Sequence, residues 1–178
     1  IYASQRKAKS VPEIVLCVDQ SASMASSVVY ASIYACVLAE IRSIKTSLIL
    51  FDSVPYDFSD QLGDPVDLLF GLNLGGGTDI NRAVGVSRKK IWNQSETIFF
   101  LISDLEEGGN SRMLVQQLKE MHDEGIKVMI LLTLSDDGKP KYNVSLASEL
   151  ADYNITSMAC TPDKFPELIG DQLRVNKS

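Results

Sequence analysis

The sequence has few of the residues that build disulfide frameworks and zinc sites. It contains three cysteines and one histidine among 178 residues. Cys17, Cys36 and Cys160 are scattered, odd in number and form no CxxC pair, so the sequence predicts neither a disulfide framework nor a thiolate metal clip. We expect three reduced thiols and a cytoplasmic location. The single His122 excludes a histidine-rich zinc site, and the lack of a GxSxG elbow argues against a Ser-His-Asp triad.

The sequence also has fewer basic than acidic residues. Seventeen Lys and Arg residues against 23 Asp and Glu residues give a formal net charge of −6. Nucleic-acid backbones and anionic membranes both attract basic surfaces, so we expect neither as the main partner. We find no apolar run of the roughly 18 residues that a membrane span needs. The first twelve residues are polar and basic, unlike a signal peptide.

The composition is typical of one globular domain, with 45% hydrophobic and 22% charged residues. We find no internal repeat and no interior low-complexity linker. The sequence therefore predicts one domain over residues 12–174. Residues 1–11 are interpreted as a linker or the end of a missing N-terminal region, and residues 175–178 as a C-terminal tail. The chain begins at Ile1 rather than Met, so we interpret it as a piece of a longer protein.

Short apolar runs alternate with amphipathic stretches along the chain. The runs predict strands over residues 13–18, 46–51, 55–58, 97–102, 126–133 and 155–158. Between and after them, the pattern predicts helices over residues 65–70, 79–90, 111–123, 144–152 and 162–173. This alternation predicts an α/β fold: a single doubly wound, mostly parallel sheet with helices on both faces, similar to a Rossmann fold.

The helix after the first strand has apolar residues at helical spacing. They predict the side that packs on the sheet: Tyr30, Ile33, Tyr34, Val37, Leu38 and Ile41. We also interpret Trp92 and Met113 as packing residues. Glu106 and Glu107 are interpreted first as a solvated surface, although they could also make the rim of a nearby binding site negative.

Acidic and hydroxyl-bearing residues follow two of the predicted strands. Asp19, Ser21 and Ser23 occupy alternate positions of a turn after the first strand, where three side chains can converge on one point. Asp104 follows the 97–102 strand, and Thr78 follows three glycines that let the backbone approach closely. Doubly wound sheets bind ligands at the carboxyl ends of their strands. These hard oxygen donors suit Mg²⁺, Mn²⁺ or Ca²⁺ rather than zinc or copper.

Single members of this set also have ordinary structural explanations. Ser, Thr and Asp between a strand and a helix are common helix caps, and capping is the favoured explanation for Ser21 or Ser23 taken alone. Asp79 is interpreted first as a helix N-cap, although it could orient a bound water. Asp52 is equally well explained as a turn residue or as a neighbour of the site. Capping does not easily explain the whole five-residue set.

Three motifs resemble those of a von Willebrand factor A domain with a metal-ion-dependent adhesion site. They are DQSAS at 19–23, GGGTD at 75–79 and ISDLEEG at 102–108, in the family's order, and the resemblance extends over about residues 11–173. The motifs are most similar to the bacterial, cytoplasmic CoxE-like branch, whose members are often associated with MoxR-type AAA+ ATPases. Ala22 stands where many relatives have Gly.

The resemblance implies a metal site and a function. Ser21, Ser23 and Thr78 would be hydroxyl ligands, and Asp19 and Asp104 would coordinate directly or through water. The strand before Asp19 would lie beside the strand before Asp104. The implied function is a protein-binding module without chemistry of its own. It would bind a partner's Glu or Asp through a divalent cation, most favourably Mg²⁺, with a MoxR-type ATPase as a candidate partner.

Two enzyme-like or cofactor-binding alternatives remain open from the sequence. A Mg²⁺-dependent phosphohydrolase of the haloacid-dehalogenase type would use Asp19 as nucleophile, but it needs a second Asp where Ser21 stands. A dinucleotide-binding domain would need a Gly-rich loop after the first strand, and it would need a small residue at Ile80.

Overall fold

A single mixed sheet forms the centre of the domain. The computed structural model describes residues 11–72, 76–134, 137 and 139–175. In this part of the chain the sheet contains β1 (Glu13–Asp19), β2 (Lys45–Phe51), β3 (Pro55–Asp57), β4 (Thr97–Ile102), β5 (Lys127–Thr133) and β6 (Thr156–Cys160). The strand order is β3-β2-β1-β4-β5-β6. Only the β2–β3 pair is antiparallel among these strands, which confirms the predicted, mostly parallel sheet.

Helices cover both faces of this sheet. The described helices of six or more residues are α1 (Ala25–Ala39), α2 (Pro65–Phe70), α3 (Ile80–Arg88), α4 (Ser111–Asp123), α5 (Val144–Asp152) and α6 (Phe165–Val175). One core lies under α1, α2 and α6, and the other lies under α3, α4 and α5. Strand β1 is buried along its length and serves both cores: Leu16 belongs to the first and Cys17 to the second. The predicted doubly wound arrangement is therefore confirmed.

The boundaries of several elements follow from local capping. The Asp79 side chain accepts a hydrogen bond from the Arg82 amide at 2.9 Å, which confirms it as the N-cap of α3. Asn110 caps α4 in the same way, and α4, α5 and β4 have the predicted bounds. The linker and tail predicted over residues 1–11 and 175–178 lie outside the described residues, apart from Val11 and Val175.

Helix α1 does not pack on the predicted side. Its predicted contact residues Tyr30, Ile33 and Val37 are 44%, 41% and 52% exposed, and of the predicted set only Leu38 is buried. The buried side instead consists largely of small residues: Ser27, Val28, Ala31, Ser32, Ala35, Cys36 and Leu38. Small side chains let a helix lie close to a sheet, so packing distance decides which apolar side is buried.

Helix α1 and the turn before it also contradict the expectation that no apolar run is long enough to span a membrane. The helical stretch Ala22–Ala39 is long and apolar enough to cross a membrane by length and composition alone. Within the domain it packs through Val28, Ala31 and Ala35 into the first core. The core helix of a globular domain has this composition as well, so the segment is explained by the packing described here.

Two predicted packing residues lie at the surface. Trp92 is 79% exposed and Met113 is 54% exposed, so both packing interpretations are wrong. The Lys45 ammonium lies 4.9 Å from the centre of the Trp92 ring. A cation–π contact of this kind does not require burial of the indole.

Slow thiol modification is expected in the native protein. All three cysteines are free. Burial raises the pKa of the Cys17 thiol to about 12 and that of Cys160 to about 11, and it also raises the pKa of Cys36. At pH 8 a thiol-specific chromogenic reagent should therefore react much faster after unfolding in guanidinium than before. Rapid titration of Cys17 in the folded protein would contradict its placement in β1.

Candidate metal centre

The candidate site lies where the order of the sheet reverses. Strand β1 ends at Asp19 and is hydrogen-bonded to β2 on one side and to β4 on the other. Asp104 lies two residues beyond Ile102, the end of β4. The chain proceeds from β1 to β2 on one side and later from β4 to β5 on the other. The carboxyl ends of β1 and β4 therefore form the crevice in which such folds bind ligands.

A chain of short polar contacts joins four of the five predicted site residues. Asp19 Oδ1 accepts a hydrogen bond from the Ser21 amide at 2.9 Å. The Ser21 and Ser23 hydroxyl oxygens are 3.2 Å apart, and the Ser23 hydroxyl donates to Asp104 Oδ2 at 3.1 Å. Sequence reasoning missed Ser103, whose hydroxyl donates to Asp19 Oδ2 at 3.0 Å. Two carboxylates and two hydroxyls that could act as metal ligands thus converge at one place.

The fifth residue, Thr78, is held beside the others by its backbone. Its carbonyl accepts a hydrogen bond from the Gly108 amide at 2.9 Å, in the loop after β4. The next residue, Asp79, donates its amide to the Asp52 carbonyl at 2.9 Å, directly after β2. Among the described residues, no hydrogen bond joins the Thr78 hydroxyl to the other four. The segment containing Thr78 therefore reaches the same edge of the sheet.

The two carboxylates are buried without a basic partner. Asp19 is fully buried and Asp104 is 9% exposed, and neither forms a salt bridge with the rest of the described chain. Burial raises the pKa of Asp19, and the charge of Asp104 raises it further, against hydrogen bonds from Ser21 and Ser103 that lower it. A bound cation would compensate this buried negative charge.

The donor set fits a hard divalent cation. In the described chain no three His, Cys, Asp or Glu side chains cluster in a way that could hold a metal. A metal here would need hydroxyl ligands beside the two carboxylates, and Ser21 and Ser23 supply such groups in contact with them. Oxygen donors of this kind suit Mg²⁺, which also retains water ligands.

The structure gives local contacts for Ser21 and Asp52, two residues with more than one expected role. Ser21 precedes a short 3₁₀ turn, but its side chain makes no capping hydrogen bond, and α1 begins after Met24. Capping therefore does not explain Ser21. Asp52 Oδ1 accepts a hydrogen bond from the Val54 amide at 2.9 Å, which gives it a turn role.

The loop after β4 has a constrained backbone. Leu105 is fully buried and has a φ of 60°, in the left-handed region that bulky residues rarely adopt. Its amide donates to the Ser103 hydroxyl at 3.0 Å, and the Glu106 amide donates to Asp104 Oδ1 at 3.1 Å. The buried leucine side chain and these two bonds hold the turn in place.

Glu107 lies near the candidate site and binds three backbone amides, a role that the sequence did not predict. Its carboxylate accepts hydrogen bonds from the amides of Ile80 at 3.1 Å, Asn81 at 2.8 Å and Gly109 at 2.8 Å. The interpretation of Glu107 as solvated surface is therefore wrong, whereas Glu106 is exposed as expected. The two residues are chemically identical neighbours, so no sequence signal separates them.

Gly108 lies against the segment that contains Thr78. A Cβ atom at Gly108 would lie 2.6 Å from the Thr78 carbonyl oxygen. Such a contact is shorter than protein atoms allow, so one of the two segments would have to move. The close approach therefore explains a glycine at this position.

The N-terminus of α3 is already occupied by the protein's own carboxylates. Glu107 accepts from the amides of Ile80 and Asn81, and Asp79 accepts from the amide of Arg82. A dinucleotide-binding domain needs the amides at its phosphate-binding helix N-terminus for the ligand. This arrangement disfavours phosphate binding at the glycine-rich segment before α3.

Comparisons with known proteins agree with the observed topology. The domain resembles the von Willebrand factor domain of the pili tip protein Mfa5 from Porphyromonas gingivalis, with a TM-score of 0.67 and 11% identity over 95% of this chain and 97% of that one. It also resembles BatB from Bacteroides thetaiotaomicron, with a TM-score of 0.65 and 16% identity over 92% and 99% of the two chains. At these identities the likeness establishes the fold alone.

Sequence comparison gives the family. The chain is 35% identical over 162 residues to the uncharacterized protein YehP of Escherichia coli strain K12, which covers 91% of this chain. It spans 43% of the length of YehP, less than half of that relative. The model of the family described as VWA domain containing CoxE-like protein matches residues 1–169. The chain therefore belongs to the CoxE-like family of VWA-domain proteins.

Proposed function

We propose that this domain is a metal-dependent protein-interaction module. The observation that carries the proposal is the contact chain from Asp19 through Ser21 and Ser23 to Asp104, at the reversal point of the sheet. Its two buried carboxylates have no basic partner in the described chain. VWA domains commonly act as protein-interaction modules, which agrees with this assignment.

Five residues would hold the cation: Asp19, Ser21, Ser23, Thr78 and Asp104. Mg²⁺ fits best, with Mn²⁺ or Ca²⁺ as alternatives, because all five donors are hard oxygens. With neutral hydroxyls among its ligands, the ion would retain net positive charge and accept a carboxylate at an open position. The partner group is therefore a Glu or Asp side chain.

The wider biological setting is proposed from the family. A MoxR-type AAA+ ATPase is the proposed partner, and the cytoplasm the proposed location. The net charge of −6 supports a protein partner rather than nucleic acid or an anionic membrane. An acidic domain can still bind an acidic group, because the ion is the largest local charge.

We propose that the domain has no catalytic activity of its own. The phosphohydrolase alternative would use Asp19 as nucleophile and a second acid two residues later as proton donor. Ser21 occupies that position, so a hydroxyl stands where this chemistry needs a second carboxylic acid. A hydroxyl with an ordinary pKa is a poor general acid at neutral pH.

Thr78→Ala tests the proposal directly. The variant should keep the fold and part of the Mg²⁺ affinity, because water can replace one hydroxyl ligand. It should lose most chelator-sensitive partner binding, because the partner carboxylate must meet an ion with the right ligands and exposed charge. Calorimetry with Mg²⁺ and pull-down with and without chelator would measure both properties on one preparation. Wild-type partner binding that ignores chelator would contradict the mechanism.

A further inference from the structure

We propose that Glu107 is a positioning residue that holds Thr78 at the metal site. The inference rests on the proposed function, because it assumes that Thr78 contributes to metal binding. Glu107 touches neither the four joined site residues nor the Thr78 side chain through any hydrogen bond in the described part of the chain. It acts on the backbone that follows Thr78.

The carboxylate of Glu107 binds both sides of a junction between two segments. On one side it accepts hydrogen bonds from the amides of Ile80 and Asn81, two and three residues after Thr78. On the other side it accepts from the amide of Gly109 in its own loop, at 2.8 Å. These bonds join the start of α3 to the loop after β4, so the two segments are fixed relative to each other.

The neighbouring backbone bond strengthens the same junction. The Gly108 amide donates to the Thr78 carbonyl at 2.9 Å, directly beside the Glu107 contacts. Glu107 also lies three residues after Asp104, and the intervening Leu105 has a constrained, buried backbone. One short loop therefore supplies a proposed carboxylate ligand and also fixes the segment of a proposed hydroxyl ligand.

The chemistry of the junction requires a carboxylate. Three amides donate to Glu107, and two of them share Oε1. An ionised carboxylate presents two acceptor oxygens and no donor, whereas a Gln amide presents one oxygen and an NH₂ group. In Glu107→Gln at least one backbone N–H would face another donor. The helix dipole also makes the N-terminal end of α3 a favourable place for the negative charge of Glu107.

A double-mutant cycle tests this role by calorimetric titration with Mg²⁺. Glu107→Gln should weaken Mg²⁺ binding about tenfold, the loss expected for one charge-assisted hydrogen bond. Glu106→Gln removes the same charge from the exposed neighbour and should change the affinity less than about twofold. In the Thr78→Ala background, Glu107→Gln should cost less than about twofold, because a residue that acts through Thr78 has nothing left to position.

The outcomes separate this inference from the proposed function. Equal effects of Glu107→Gln and Glu106→Gln, or full additivity with Thr78→Ala, would overturn the positioning role while leaving the metal site intact. Failure of the wild-type protein to bind Mg²⁺, Mn²⁺ or Ca²⁺ would overturn the proposed function and the positioning role with it. If Glu107→Gln does not fold, Glu107→Asp takes its place, because it keeps the charge but shortens the side chain by one methylene.

Discussion

Asp19→Ala should abolish metal binding and, with it, partner binding, while the domain stays folded. We expect Mg²⁺ affinity to fall more than about 100-fold, equivalent to more than about 2.7 kcal/mol. Asp19 is fully buried at the end of β1, and its two oxygens contact Ser21 and Ser103. Calorimetry with Mg²⁺ measures the loss.

The fold should survive this change because burial disfavours the charged form of Asp19, whose pKa is raised. A raised carboxyl pKa means that ionised Asp19 opposes folding: the cost is complete above the folded-state pKa and disappears as pH falls to the unfolded-state value. Removing the group at neutral pH therefore removes a cost as well as two hydrogen bonds. Ser103→Ala serves as a comparison: it loses one of those bonds and the bond from the Leu105 amide, but no proposed ligand. Unfolding of Asp19→Ala by circular dichroism would argue for a structural role.

Gly108→Ala should lower both the stability of the domain and its affinity for Mg²⁺. Its new methyl carbon would lie 2.6 Å from the Thr78 carbonyl oxygen, so the segment carrying Thr78 must move. We expect a loss of about 1–3 kcal/mol in the free energy of unfolding, the usual cost of overpacking. Mg²⁺ affinity should fall at least as far as in Thr78→Ala. Thermal denaturation and calorimetry measure the two effects.

Gly63→Ala gives the control for the general effect of adding a methyl group. A Cβ atom at Gly63 meets nothing within 4 Å, and this glycine lacks a positive φ. The free energy of unfolding of Gly63→Ala should differ from that of the wild type by no more than about 0.5 kcal/mol. Stability and Mg²⁺ affinity that are alike in the two variants would show that Gly108 does not constrain Thr78.

The sequence was sufficient for the sheet but not for the packing of its first helix. Buried parallel strands are continuous apolar runs, and the predicted cap Asp79 marks a helix start, so local patterns predicted these elements. Helix α1 has apolar residues on more than one side. Its orientation depends on how closely Ala31 and Ala35 let it approach the sheet, which periodicity does not encode.

In the candidate site, too, residues close in sequence were predicted, whereas contacts between distant residues were not. Asp19, Ser21 and Ser23 lie within one turn, so their spacing alone suggested convergence. The Ser103 contact spans 84 residues, and its chemistry is that of an ordinary serine. The different roles of Glu106 and Glu107 depend on the turn at Leu105, whose φ of 60° occurs in a residue type that rarely adopts it.

The position of β1 in the sheet has a consequence for folding during synthesis. Its two parallel neighbours begin at Lys45 and Thr97, so one side of β1 gains its partner much later than the other. Until β4 leaves the ribosome, β1 is an apolar edge strand, a feature that favours pairing with other chains. Parallel pairing over such a separation is slow. The arrival of residues 97–104 therefore covers the open side of β1 and supplies the second carboxylate at the same time.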